Sequence, residues 1–124
     1  MRIDFDSETP IYIQIAEEIE DAVLSGAFPE ESQVPSTTEI STTYRINPAT
    51  VLKGMALLTD EGVLYKKRGL GMFVCTGAAE QIREKRRRLF YEKYIVSLLE
   101  EAGKLGIGKK ELIRLIEGET KHEQ

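Results

Sequence analysis

Val34-Pro35-Ser36-Thr37-Thr38-Glu39-Ile40-Ser41-Thr42-Thr43-Tyr44-Arg45-Ile46-Asn47-Pro48-Ala49-Thr50-Val51 holds two helix starts in close succession. Ser36 and Glu39 have capping-box spacing: the serine oxygen can accept from the backbone N–H of Glu39, and the glutamate from the N–H of Ser36. Asn47 is a strong N-cap, and Pro48 suits the first helical position, where no backbone donor is lost. The first helix must be short, because Ile40 and Tyr44 are its only well-spaced apolar anchors. The second runs on through Val51, Leu52, Met55 and Leu58, which are read as one apolar face, to a stop at Gly62. A short helix, a tight turn and a longer helix with small polar groups in its first turn make a helix-turn-helix. In that motif the second helix enters the major groove of DNA.

Downstream, Val63-Leu64-Tyr65-Lys66 and Met72-Phe73-Val74-Cys75 read as two strands around Lys67-Arg68-Gly69-Leu70-Gly71. This hairpin has the character of a wing. Its glycines let the backbone approach a phosphate or a narrow groove, and its cations supply attraction. Upstream, Thr9 is read as an N-cap and Pro10 as a first-turn residue of a helix whose Ile11, Ile15, Ile19, Ala22 and Val23 recur until Gly26. Its Glu17, Glu18 and Asp21 form a solvated face. Arg2-Ile3-Asp4-Phe5-Asp6 alternates with period two and predicts a short edge strand, while Phe28 to Gln33 reads as a turn-rich connector.

Beyond Gly77, the apolar residues Ala78, Ala79, Ile82, Leu89, Phe90, Ile95, Leu98 and Leu99 predict one long helix ending near Ala102-Gly103. A glycine-spaced turn follows, then a last helix from Lys109 to Glu117 and a polar, frayed tail. The expected fold is mainly α with a small β hairpin: a winged helix-turn-helix over residues 1–76, a C-terminal two-helix dimerisation region over 77–118 and a flexible tail over 119–124. Leu89, Phe90, Ile95, Leu98, Leu99, Leu112, Ile113 and Ile116 present more apolar surface than two helices can bury, and a homodimer is the simplest cover. The alternative is that part of this surface forms a pocket for a small-molecule effector of unidentified chemistry.

With 124 residues, 41% of them hydrophobic, the chain suffices for one compact domain and a short appendage. No apolar run approaches the roughly 20 residues of a bilayer crossing and no signal-peptide pattern opens the sequence, so a cytoplasmic protein without a membrane partner is expected. Cys75 is the single cysteine and reads as a small buried residue. With it, one histidine in the tail and no metal-ligand cluster or phosphate-cradling loop, the sequence predicts neither an enzyme nor a cofactor or metal.

Charge is distributed unevenly. The net value is −4, and residues 1–77 carry 6 Lys+Arg against 12 Asp+Glu. The acids cluster at Asp4-Asp6-Glu8, Glu17 to Asp21 and Glu30-Glu31. Arg45, Lys53 and Lys66-Lys67-Arg68 occupy a later block in which Asp60 and Glu61 are the only acids. Cations beside glycines in an otherwise acidic domain favour phosphate contact over a merely solvated hairpin tip. The acidic balance alone would favour a winged-helix module that binds protein instead of DNA. Lys85-Arg86-Arg87-Arg88 reads as a solvated helix side, and could equally flank DNA or balance acids on a partner subunit.

Pro10-Ile11-Tyr12-Ile13-Gln14-Ile15, Val34-Pro35-Ser36, Asn47-Pro48-Ala49-Thr50-Val51, Glu61-Gly62-Val63-Leu64 and Arg68-Gly69-Leu70-Gly71-Met72-Phe73-Val74 resemble, in order, the signature blocks of the GntR family's DNA-binding domain. The Asn-Pro-Ala-Thr start of the third helix and the short C-terminal region are similar to the family's YtrA-like branch. The resemblance implies a bacterial transcription regulator, a repressor that binds a palindromic double-stranded DNA operator, beside a transporter operon. It assigns phosphate contacts to Ser36, Thr37 and Thr38, base and phosphate contacts to Asn47, Ala49, Thr50 and Lys53, and wing contacts to Lys67, Arg68 and Gly69, with Lys66 adjoining them. For Asn47, capping alone and capping with DNA contact remain equal readings. Many relatives carry arginine where this chain has Thr38 and Pro48, although proline at the second position is usual for the YtrA-like branch; the two missing cations shift the expected electrostatic load onto Lys66, Lys67 and Arg68.

Overall fold

The Ser36–Glu39 capping box closes. Glu39 N–H donates to Ser36 Oγ at 3.0 Å and Ser36 N–H to Glu39 Oε1 at 3.1 Å, opening α2 (Thr37–Tyr44). The computed structural model describes residues 1–122, with side chains as far as Gly118. Asn47 Oδ1 accepts from the N–H of Ala49 at 2.8 Å and caps α3 (Pro48–Asp60), with Pro48 in the first turn. Between the two helices Arg45 adopts the left-handed conformation (φ 54°) that a tight exit from α2 requires. Ile46 N–H returns to Ser41 O, and Ser41 Oγ donates to Ile46 O at 2.7 Å. The turn is therefore held by the backbone and one hydroxyl.

α3 ends in a complete Schellman motif. Gly62 (φ 76°) donates to Thr59 O and Val63 to Leu58 O at 2.9 Å. Both Val63 and Leu58 are buried, so the exit direction is fixed by an apolar contact as well as by hydrogen bonds. The chain then enters β1 (Leu64–Lys67), which pairs antiparallel with β2 (Gly71–Val74) in the register Leu64–Val74, Tyr65–Phe73, Lys66–Met72 and Lys67–Gly71. The connector before α2 is more than a turn. Glu31 N–H donates to Val74 O, Val74 N–H to Ser32 O, and Val34 N–H to Met72 O at 2.9 Å, lacing it along the free edge of β2.

α1 (Ile11–Ser25) ends on Gly26 in the left-handed conformation and buries Ile15, Ile19 and Val23 against Ile40 of α2, Val51 and Leu58 of α3, and Leu64 and Val74 of the hairpin. Each such side chain contributes about 1.5–3 kcal/mol by leaving water. Gly54 lets α1 and α3 approach closely: a methyl group there would stand 2.8 Å from the carbonyl oxygen of Tyr12. The first compact unit is Met1–Glu84, reaching past residue 76 because Ala78 and Ile82, in the first turns of α4 (Ala78–Phe90), are buried in its core.

Three sequence expectations fail in this unit. Arg2 to Asp6 form no strand, since no neighbouring edge is offered to them. Gln14 ties the segment instead, accepting from Asp4 N–H and donating to Asp4 O and Thr9 O at 2.8–2.9 Å. Thr9 is not the cap of α1: Pro10 occupies that position, with no side-chain cap bond. Leu52 is not core but 60% exposed. One residue on from Val51 it lies about 100° round the helix, off the stripe of Val51, Met55 and Leu58.

The second unit is Lys85–Gln124. The expected single long helix is interrupted: a π-helical stretch, Tyr91–Val96, lies between the end of α4 and α5 (Ser97–Lys104), with the rings of Phe90 and Tyr94 5.3 Å apart. Hydrophobic spacing cannot reveal such an insertion, because the stretch is helical on both sides. α5 closes in a second Schellman motif, with Gly106 (φ 71°) bonded to Gly103 O and Ile107 to Ala102 O. α6 runs Lys109–His122, beyond Glu117 where the frayed tail was expected. Gly118 costs a helix only about 1 kcal/mol and no proline follows it. Glu123 and Gln124, also assigned to that tail, lie outside the described residues.

Candidate nucleic-acid interface

The start of α2, the outer side of α3 and the hairpin enclose an open cleft of about 480 Å³. Ser36, Thr37 and Thr38 line one wall, Leu52, Met55, Ala56, Thr59 and Asp60 of α3 form the floor, and Lys66, Gly71 and Met72 form the wing side. Strand alternation explains which lysine reaches it. Leu64 and Val74 point into the core, so Lys66 and Met72, paired one step further out, share their face of the hairpin.

Lys67 belongs to the opposite face. Its Nζ stands 4.3 Å from the centroid of Phe73 and 5.8 Å from that of Tyr65, a cation–π seat on two rings 6.0 Å apart. Glu31 lies beside them, accepting from the Tyr65 hydroxyl and, at 2.6 Å, from Thr76 Oγ1. The hydrogen bonds from Thr76 and Tyr65, with a smaller attraction from Lys67, hold the Glu31 carboxyl below its ordinary value of 4.5. The bond to Glu31 in turn raises the Tyr65 hydroxyl. A lowered folded-state value means that this carboxylate stabilises the fold above pH 4.5 and ceases to do so as the pH falls through the lowered value. The melting-temperature gap between wild type and Glu31→Gln, followed by circular dichroism, is thus expected at neutral pH and should close below pH 4.5. A gap that persisted in acid would remove the carboxylate from the hairpin's support.

Lys53 also sits on a ring. Its Nζ is 4.1 Å from the centroid of Tyr12, so it turns toward α1 and is not among the residues that line the cleft. Asn47 and Ala49 are exposed and Thr50 is half-buried in the first turn of α3. At the wing tip Leu70 N–H closes the turn on Lys67 O at 2.9 Å, with Gly69 at φ 78° and Gly71 at φ 121°. Gln33 Nε2 donates to Leu70 O at 2.6 Å and fills the space that a side chain on Gly71 would need. Arg68, Gly69 and Leu70 project from this braced tip, all exposed.

The cleft thus gathers Ser36, Thr37, Thr38 and Lys66, while Lys53 and Lys67 rest on aromatic rings. The sequence reading missed the seats provided by Tyr12 and Phe73. The period-two pairing of Tyr65, Lys67 and Phe73 was the available signal for one of them. In the second unit Leu89, Phe90, Leu98, Leu99, Ile113 and Ile116 are exposed, Ile95 is half-buried and Leu112 is buried. Among the described residues there is no cluster suited to a metal ion, and no helix is long and apolar enough to cross a membrane.

Residues 11–74, just over half of the chain, match the family of bacterial regulatory proteins known as the gntR family. The HTH-type transcriptional repressor YtrA of Bacillus subtilis (strain 168) is 31% identical over 93 residues, covering 75% of this chain and 72% of that protein. The chain spans only 28% and 33% of the length of two further curated relatives that it matches. A putative GntR-family transcriptional regulator from Bacteroides thetaiotaomicron is 33% identical with a TM-score of 0.77, covering 92% of this chain and 99% of that one. The DNA-binding domain of AraR in complex with an operator is 25% identical with a TM-score of 0.56, over 60% of this chain and 96% of that one.

Proposed function

We propose, given that this chain belongs to the gntR family of bacterial regulatory proteins, that it is a sequence-specific DNA-binding transcriptional regulator, a repressor that holds an inverted-repeat operator as a homodimer. The observation that carries this reading is the likeness of its winged unit to a domain whose structure was solved on operator DNA. In this reading α3 enters the major groove with Ala49 and Thr50 leading. The hydroxyls of Ser36, Thr37 and Thr38 donate to a phosphate at the positive end of α2, and Lys66 and Arg68 add charge from the wing side. Gly69 allows the wing backbone to reach the minor-groove edge. Asn47 is committed to its cap through Oδ1, leaving its amide N–H groups for a phosphate.

Selection of bound duplexes from a random pool tests this directly. The expected product is an inverted repeat whose half-sites lie about 34 Å apart, one helical turn. No enrichment, or a single asymmetric site, would overturn it. By analogy with YtrA-like proteins, the regulated genes encode a neighbouring transporter.

The second unit supports the dimer reading. Its exposed Leu89, Phe90, Leu98, Leu99 and Ile113 need a cover, and a second copy supplies one without a further partner. Sedimentation equilibrium should give the mass of two chains for wild type and of one chain for Leu99→Asp/Ile113→Asp. A single-chain mass for wild type would sink the dimer.

A further inference from the structure

We infer that Leu52 reads a base, its side chain resting on the C5-methyl group of a thymine in the major groove. The inference rests on the DNA-binding reading above. Leu52 is 60% exposed on the helix whose Val51, Met55 and Leu58 are 2% exposed or less, so packing gives no reason for a large apolar group there. It shares the cleft with Ser36, Thr37, Thr38 and Lys66, the groups suited to phosphate. Ala49, Leu52 and Ala56 recur at i, i+3 and i+7, a single exposed apolar stripe along α3.

Apart from Thr50, half-buried in the first turn, the polar side chains of α3 leave that stripe little to bond with. Thr59 Oγ1 donates to Met55 O at 3.0 Å, Lys53 lies over the Tyr12 ring, and the cap Asn47 gives its oxygen to the Ala49 N–H. Asp60, at the far end of the floor, would repel a phosphate. Base edges in the major groove present mainly hydrogen-bonding groups, and the thymine methyl is their one bulky apolar feature. A recognition helix whose groove-facing stripe is alanine, leucine and alanine is complementary to that feature.

The test uses the full chain and the duplex enriched from random DNA, with each thymine of a half-site replaced in turn by deoxyuridine, which removes only the methyl. Fluorescence anisotropy at fixed salt should show one or two positions where the replacement weakens wild type about three- to tenfold. At the same positions the replacement should leave Leu52→Ala unchanged, because its partner is already gone. Leu52→Ala should keep the wild-type melting temperature and salt dependence, since the side chain is exposed and carries no phosphate contact. Equal losses in the two proteins, or no sensitive position in wild type, would overturn the role of Leu52 and leave DNA binding standing. Failure to enrich any duplex would overturn both.

Discussion

Replacing Gly54 by alanine is expected to lower the melting temperature by about 5–10 °C, against the usual effect of that exchange in a helix. Alanine ordinarily gains about 1 kcal/mol over glycine in a helix interior. At residue 54 the new methyl meets the Tyr12 carbonyl oxygen at 2.8 Å and two carbons of Ile15 at 3.2–3.3 Å, and the first of these is backbone that cannot rotate away. Overpacking of this kind costs about 1–3 kcal/mol, more where backbone must shift. With a backbone clash placing the cost at about 2–3 kcal/mol, the net loss is about 1–2 kcal/mol, which in a domain of this size is the stated change. Gly103→Ala is the internal control: it sits in α5 with nothing within 4 Å of the added carbon, so it should stabilise. Thermal unfolding of the two variants must therefore shift in opposite directions. A stabilising Gly54→Ala would mean that α1 and α3 do not approach as described. If α3 faces the groove as proposed, Gly54→Ala should also weaken DNA binding below the unfolding transition.

Removing Lys66 and Arg68 together should weaken binding to the selected duplex about 50-fold near 0.1 M salt and reduce the slope of log affinity against log salt by about 2. Each phosphate contact contributes roughly 0.9 to that slope in B-form DNA, which at ~0.1 M salt is about an eightfold loss per contact. The effect is expected to be large because, by the family resemblance, Thr38 brings no charge where many members of the wider family carry arginine. Lys67→Ala is the discriminating companion. With its ammonium on the Phe73 ring and Glu31 nearby, Lys67 should contribute less than Lys66 or Arg68. Anisotropy titrations at four salt concentrations measure all three. An unaltered slope in the double variant would remove the wing from the interface.

Much of this architecture is legible where one residue type has one local use. Ser36 with Glu39, Asn47 with Pro48, and Gly62 after a helical stripe are signals decided within a few residues, and each element starts or stops where they place it. Other features depend on distant neighbours. Gly54 looks like a weak point of α3 until Tyr12 is brought against it from another helix. Leu52 reads as core because helical spacing admits several stripes, and only the packing of α1 selects Val51, Met55 and Leu58. Arg2 to Asp6 alternate as a strand does, but alternation cannot supply an edge to pair with. Lys66 and Lys67 are indistinguishable as a charged pair, and the hairpin register sends them to opposite faces.

The central claim is that one face, formed by α2, α3 and the wing, holds the DNA. Backbone amide shifts of the isotope-labelled full chain, recorded by nuclear magnetic resonance as the selected duplex is added, test it most directly. The largest changes should fall at Ser36 to Thr38, Asn47 to Lys53 and Lys66 to Leu70, with Glu17 and Asp21 on the acidic side of α1 unmoved. Changes concentrated on α1, or confined to the second unit, would contradict it.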